Sequence, residues 1–253
     1  MNGRTTTRTD ADLVIRLRPL AELPRGPQAT VLEHHDSVET FRNYSWEARC
    51  DVRTGECDVD FYDREDDDFN LNARMTAALR TLINRRLSRT GAMGFHAAAL
   101  VHRGAGYIFT GPSGAGKTTI ARRWPGDPAL GDAVLGDEEV IVTRNEGSNP
   151  DSPFTVHGSP FTGREGLQSQ AGSAPLRAIF LLHQAPETHV RPLAQSDAFR
   201  RLVSTALVLP GDRSDRERAS EFLVRLIETV PVRRLDVSLD CPLWPAIERG
   251  LHA

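Results

Sequence analysis

The stretch FTGPSGAGKTT, residues 109–119, constrains this chain more than any other. Gly111 to Thr118 matches G-x-x-x-x-G-K-[ST], in which backbone amides cradle phosphates and a lysine reaches the outer ones. Glycine is needed there because bulkier residues cannot take the turns or let a ligand approach the backbone. The motif requires a strand before it and a helix after it. GYIFT reads as the strand, and KTTIARRW as a helix beginning near Lys117. FHAAALVHRG, just upstream, reads as a strand ending in a glycine turn, so a hairpin feeds the loop.

The loop predicts a nucleotide site with ATP and Mg²⁺ as its cofactors. Gly111, Gly114 and Gly116 turn amides toward the phosphates, and Pro112, Ser113, Ala115 and Thr119 complete the loop. Lys117 reaches the outer phosphates, and the Thr118 hydroxyl is a ligand for Mg²⁺. Twenty residues after Lys117, the apolar run AVLG ends in Asp137-Glu138. One carboxylate there can hold the metal, directly or through water, and the other can take a proton from a hydroxyl or water. Glu139 reads as a solvated neighbour. Thr118, Asp137 and Glu138 are the expected metal residues, and Asp137, His96, Lys117 and Arg164 the expected catalytic ones. His96 heads the hairpin. A lone histidine is ordinarily structural or exposed, though its titration range also suits a phosphate or an acidic base. Arg164, in GSPFTGREG, can meet developing phosphate charge or simply sit on the surface, and His157 has the same two readings. His102 faces the turn and has no role in the expected site.

The 253 residues, 39% hydrophobic, suffice for a substantial core, and a division at residues 1–90 and 91–253 is expected, the second being the nucleotide-binding core. The first ten residues are polar and read as loose, and residues 24–39 read as loop-rich. Strands follow around VETFRNYSWEARCDV and ECDVDFYD. Leu71, Met75, Leu79, Leu82, Ile83 and Leu87 make one helical stripe, and the arginines at its end read as a solvated helix terminus. Downstream, NPDSPFTVHGSPFTGREGLQ reads as an active-site loop and APLRAIFLLHQA as a buried strand. Helices are expected at SDAFRRLVSTALVL and DRERASEFLVRLIETV, and a strand and short helix in VRRLDVSLDCPLWPAIERGL.

A formal charge of −3, with both signs dispersed and few aromatics among the basic residues, argues against a nucleic-acid partner. The absence of a long apolar run argues against a membrane. Cys50, Cys57 and Cys241 are too few and scattered for a disulfide framework, so reduced thiols and a cytoplasmic location are expected. No zinc spacing, G-x-S-x-G elbow or H-R-D/D-F-G pair is present.

The run from His96 to Val142 resembles the catalytic domain of HPr kinase/phosphorylase and its smaller relatives. They share the order histidine, short hairpin, G-x-S-G-x-G-K-[ST], and an apolar strand ending in an acidic pair. Here these are His96, the turn at Arg103 to Gly106, Gly111 to Thr118, and Asp137-Glu138 where the family usually has Asp-Asp. The resemblance implies an α/β fold of the HPr kinase/phosphoenolpyruvate carboxykinase type, a P-loop nucleotide site on a mixed central sheet with flanking helices. It implies an ATP-dependent serine kinase acting on a peptide or small protein, with Asp137 as base, Glu138 on the metal and His96 near the transferred phosphate. A homo-oligomer is expected by the same analogy. Transfer to a small hydroxyl compound, and a regulatory nucleotide-binding module or ATPase without an acceptor, are the alternatives.

Overall fold

The computed structural model describes residues 13–20, 31–43, 45–62, 71–124, 126–145, 153–161, 170–208, 213–238 and 243–252. It is a mixed α/β structure with mixed sheets and few helices, divided into two compact units, Met1–Arg86 and Leu87–Ala253.

The first unit carries five strands: β1 (Val14–Leu20), β2 (Val31–His35), β3 (Val38–Arg42), β4 (Trp46–Asp51) and β5 (Glu56–Tyr62), in the order β1-β5-β4-β3-β2. Only β1 runs parallel to its neighbour, β5. Period-two alternation puts Phe41, Trp46, Ala48, Val59 and Phe61 on the buried face. β2 corrects the sequence expectation. β2 lies in the stretch read as loop-rich, because its EHH end is polar and its pattern emerges only once it pairs with β3. The thiols are corrected too. Cys50 and Cys57 form a disulfide, since the antiparallel register sets them directly opposite, with Cα atoms 4.1 Å apart. Cys241 lies outside the described residues.

Helix α1 (Leu71–Leu87) is present where the apolar stripe predicts it. Of that stripe Leu82 is buried, and the other buried positions are Arg74, Ala78, Asn84 and Arg85. Arg85 is no solvated helix end. It is 5% exposed and binds Glu39 of β3, 2% exposed, through Nε at 3.1 and 3.0 Å and through a second nitrogen.

The second unit is built on a nine-stranded sheet. β6 (Ala92–Phe95), β10 (Val140–Arg144) and β11 (Phe154–Gly158) form an antiparallel wing that joins the start of the long β12 (Ser173–Gln184). The rest of β12 lies parallel to β8 (Ala105–Thr110) and to β14 (Val232–Val237). β7 (Ala97–His102) pairs antiparallel with β8 and with β9 (Ala133–Gly136), and β13 (His189–Pro192) pairs with β14. The β7–β8 turn, Arg103-Gly104, has φ of 48° and 76°, the type I′ geometry that suits strand twist. Its flank is pinned by Asp132, which accepts from the Arg103 amide at 2.9 Å and pairs with His102 Nδ1 at 3.0 Å.

Alternate residues of these strands feed two cores. Ala97, Ala99, Ile108, Ile179 and Leu181 pack with β6, β10, β11 and with α3 (Gln195–Val203) and α4 (Arg213–Thr229). Ala98, Leu100, Phe109, Phe180 and Leu182 pack with α2 (Lys117–Arg122) and α5 (Leu243–His252). α5 lies against β13 so closely that a Cβ on Gly250 would fall 2.3 Å from Val190 Cβ. Gly250→Ala should therefore destabilise the protein by about 1–3 kcal/mol, although alanine is the better helix former. A thermal melt checks this, and a raised melting temperature would contradict it.

Within the stretch read as an active-site loop, residues 154–158 are the strand β11, whose Phe154 and Val156 join the core. Among the described residues no helix is long and apolar enough to cross a membrane.

Candidate functional site

β8 ends at Thr110 and α2 begins at Lys117, so the glycine loop spans the turn between a central strand and a helix. Gly114 and Gly116 have φ of 77° and 105°, and a Cβ at either would meet nothing within 4 Å. Glycine serves the backbone conformation there and leaves the surface open. At Gly111 the constraint is contact: a Cβ would lie 3.1 Å from Ala115 Cβ and 3.4 Å from the Leu182 carbonyl. The loop is thus seated against the end of β12. Pro112, Ser113 and Gly114 are exposed, Ala115 is buried, and Thr118 and Thr119 are half-buried.

Lys117 is 7% exposed. Its ammonium donates to the carbonyls of Gly111 at 3.1 Å and Pro112 at 3.2 Å. Burial pushes its pKa down, and the Glu138 carboxylate opposes that shift. A buried cation resting on two neutral carbonyls is poised to exchange them for an anion, because opposite charges attract strongly where water is scarce.

β9 delivers Asp137, Glu138 and Glu139 beside the start of β7. The chain doubles back tightly: a Cβ on Gly136 would come 2.9 Å from the Glu139 carbonyl. The burial order departs from expectation. Asp137 and Glu139 are each 1% exposed, while the Glu138 side chain is 34% exposed. Glu139 was expected to be solvated. It is buried because it leads directly into β10, whose Val140 is in the core.

His96 is the corner between β6 and β7, the point where the chain passes from the antiparallel wing to the central strands. Its amide donates to Thr205 O at 2.8 Å, and its carbonyl accepts from Thr110 Oγ1 at 2.9 Å. Its Nδ1 lies 2.8 Å from the Glu138 carbonyl and 3.6 Å from Glu138 Oε1. A carbonyl only accepts, so Nδ1 carries the proton and, in the neutral ring, Nε2 keeps its lone pair. Lys117, Glu138, His96 and the strand end at Thr110 therefore form one connected group. Arg164 lies outside the described residues. His157 stands apart on β11, with Nε2 2.8 Å from Thr143 Oγ1 and its pKa lowered by burial.

One residue with a direct hold on the loop escaped the sequence reading. Gln184, at the end of β12, donates from Nε2 to Gly114 O at 2.8 Å. The available signal was its place as a polar residue ending the apolar run AIFLLH, since carboxyl ends of parallel strands face the ligand edge of α/β sheets. Among the described residues, no group of three or more His, Cys, Asp or Glu is placed to hold a metal by itself.

Fold and site together define a mixed α/β protein whose glycine-rich strand–loop–helix turn carries a buried lysine beside a histidine and an acidic turn. The chain belongs to the ScmC family: a family profile described as SynChlorMet cassette protein ScmC matches residues 57–252. No curated protein matches the chain. The family assignment corrects the resemblance to HPr kinase/phosphorylase, and with it the reading of the chain as an HPr-kinase-like serine kinase. That resemblance rested on His96 to Val142, a local order of hairpin, glycine loop and acidic pair. Such an order reports local geometry, whereas the ScmC match covers all but the last residue of the second unit and the end of the first.

Proposed function

We propose that the loop from Gly111 to Thr119 is a phosphate loop that binds ATP with Mg²⁺, and that the loaded site transfers a phosphoryl group to a hydroxyl of a peptide or small protein. The reading of the loop draws on this chain's own residues. The observation that carries it is Lys117, a buried ammonium resting on two loop carbonyls, beside two left-handed glycines with open space over them. These features fit a polyphosphate: the loop amides can face it, and Lys117 can leave its carbonyls for it.

Bound ATP would supply the transferable phosphoryl group and Mg²⁺ would offset its charge. Lys117 holds the outer phosphates and balances charge on the group in transit. The Thr118 hydroxyl and the Glu138 carboxylate would hold the metal. Asp137 orients the acceptor hydroxyl and takes its proton. His96, with its tautomer fixed by the Glu138 carbonyl, presents Nε2 as an acceptor. Gln184 holds the Gly114 carbonyl and so ties the loop to the end of β12.

Asp137→Asn tests the assignment. ATP affinity should change by less than about threefold, and transfer should fall about 10²–10⁴-fold. Labelled ATP, candidate peptides and mass spectrometry of the products measure both. Full transfer by the Asn variant would remove Asp137 as the base. The second reading, a regulatory module that binds ATP without transfer, is favoured by the same 1% exposure of Asp137. It requires ATP binding with no acceptor-dependent loss of the labelled phosphate.

A further inference from the structure

The edge of the sheet that carries the glycine loop continues past β12 to a second polar cluster. Asp236 of β14 is 4% exposed. It accepts from Arg191 Nε at 2.6 Å and from Arg234 Nε at 2.7 Å. His183 Nδ1 lies 3.2 Å from Asp236 Oδ1 and 2.9 Å from Arg234 Nη2. Register places them on one face: His183 is level with Asp236, and Arg191 stands directly opposite Arg234. Two arginines facing each other across a strand pair repel, and Asp236 between them offsets this. Burial works to raise its pKa, but the hydrogen bonds from Arg191 and Arg234 prevail and hold it below the usual carboxylate range.

The two arginines spend Nε on Asp236. Neither terminal nitrogen of Arg191 makes a hydrogen bond or ion pair with a described residue. The side chains of Arg191, His183 and Arg234 are 58%, 56% and 37% exposed. At the rim, Glu187 pairs with His189 at 2.9 Å. A guanidinium anchored through Nε offers its remaining edge as a planar fork, the geometry that recognises carboxylates.

The cluster's position adds to this. Leu181 is in register with both Thr110, the last residue before the glycine loop, and Arg234. Gln184, next in the chain to His183, bonds the loop from the other face of the strand. The cluster therefore lies at the same carboxyl ends of the strands as the loop, on the opposite face of β12. We infer that Arg191 and Arg234, held in place by Asp236, together with His183 on Arg234, form a carboxylate-recognition site that docks an acidic polypeptide segment at the carboxyl ends of β12 and β14. The site is open, so a small free anion there would stay largely solvated and weakly held. A polypeptide brings several carboxylates and its own contact surface. That the docked polypeptide is the phosphoryl acceptor rests on the function proposed above; the docking itself does not.

The test uses the full chain and a fluorescein-labelled peptide of alternating Glu and Ser, with a Gln/Ser peptide as control. Fluorescence anisotropy at low ionic strength should show binding of the Glu peptide only, weakening with salt. Arg191→Gln should weaken it about tenfold. Arg191→Lys, which keeps the ion pair with Asp236 but loses the fork, should recover only part of that. Inorganic phosphate at matched ionic strength should not compete; competition would make this a small-anion site and overturn the polypeptide assignment. Equal peptide binding by the wild type and Arg191→Gln would overturn the site. So would a loss of binding in both variants that tracks a fall in melting temperature, which would make the cluster a tie between β13 and β14. Lys117→Met should bind the peptide normally and Arg191→Gln should bind ATP normally, so failure of the nucleotide reading is seen separately.

Discussion

Lys117→Met is expected to weaken ATP binding about 100-fold, while the melting temperature of the nucleotide-free protein stays level or rises. The loss follows from removing the one buried cation of the loop, whose bonds to phosphate would be charge-assisted, at roughly 1.5–3 kcal/mol each. Stability moves the other way because burial depresses the Lys117 pKa below its ordinary 10.5. Between the depressed value and 10.5 the folded chain binds fewer protons than the unfolded one, so this group makes stability rise with pH through that window. Below the window the fold carries the whole cost of the buried ammonium, and methionine removes it. The bonds lost in exchange are those to two carbonyls, one of which, Pro112 O, still accepts from the Ala115 amide at 3.1 Å. Calorimetric titration with ATP and thermal melts from neutral to alkaline pH measure both effects. Unchanged ATP affinity would rule out the loop as a phosphate site. A melting temperature several degrees lower would make Lys117 a structural tie.

Elements whose pattern is local could be read from the sequence. The glycine loop needs only its own residues and two flanking elements, and AIFLLH is a buried strand in any sheet. What was missed depends on partners far along the chain. β13 has four residues and is half-exposed; it is a strand only because β14 lies beside it. Cys50 and Cys57 looked scattered because a spacing of seven residues carries no disulfide signal until a hairpin register makes them opposite. The helix α1 was located by its leucines, yet the positions it buries deepest include two arginines. No hydrophobic periodicity reports a buried charge whose partner is 46 residues away.

The site divides in the same way. Lys117 and its glycines are where the motif puts them, because the motif is itself a statement of backbone geometry. His96 could be singled out, but its attachment to the Glu138 carbonyl depends on β6 and β7 meeting at a corner, which a linear reading as one strand hides. The roles within Asp137-Glu138-Glu139 are set by which side chains the tight return after Gly136 turns inward, and charge composition says nothing of that. Gln184 is nearest to the loop of all the residues missed. Its hydrogen bond crosses 70 positions and exists because β12 lies parallel to β8.

Arg85→Ala should destabilise the first unit by about 3–5 kcal/mol, the usual cost of leaving one member of a buried ion pair behind. Glu39 is 2% exposed, and the substitution takes away the guanidinium that holds both its oxygens. The pair joins α1 to β3, next to the disulfide, because Glu39 lies level with Cys50. The ion pair is an expensive way to make that join, since both charges were taken out of water. Glu39→Met combined with Arg85→Met should therefore be more stable than either single change, with a coupling of about 1–3 kcal/mol in a double-mutant cycle read by urea denaturation. Additive single effects would mean that the two side chains are stabilised separately, and that α1 is held to the sheet by Ala78 and Leu82 rather than by this charge pair.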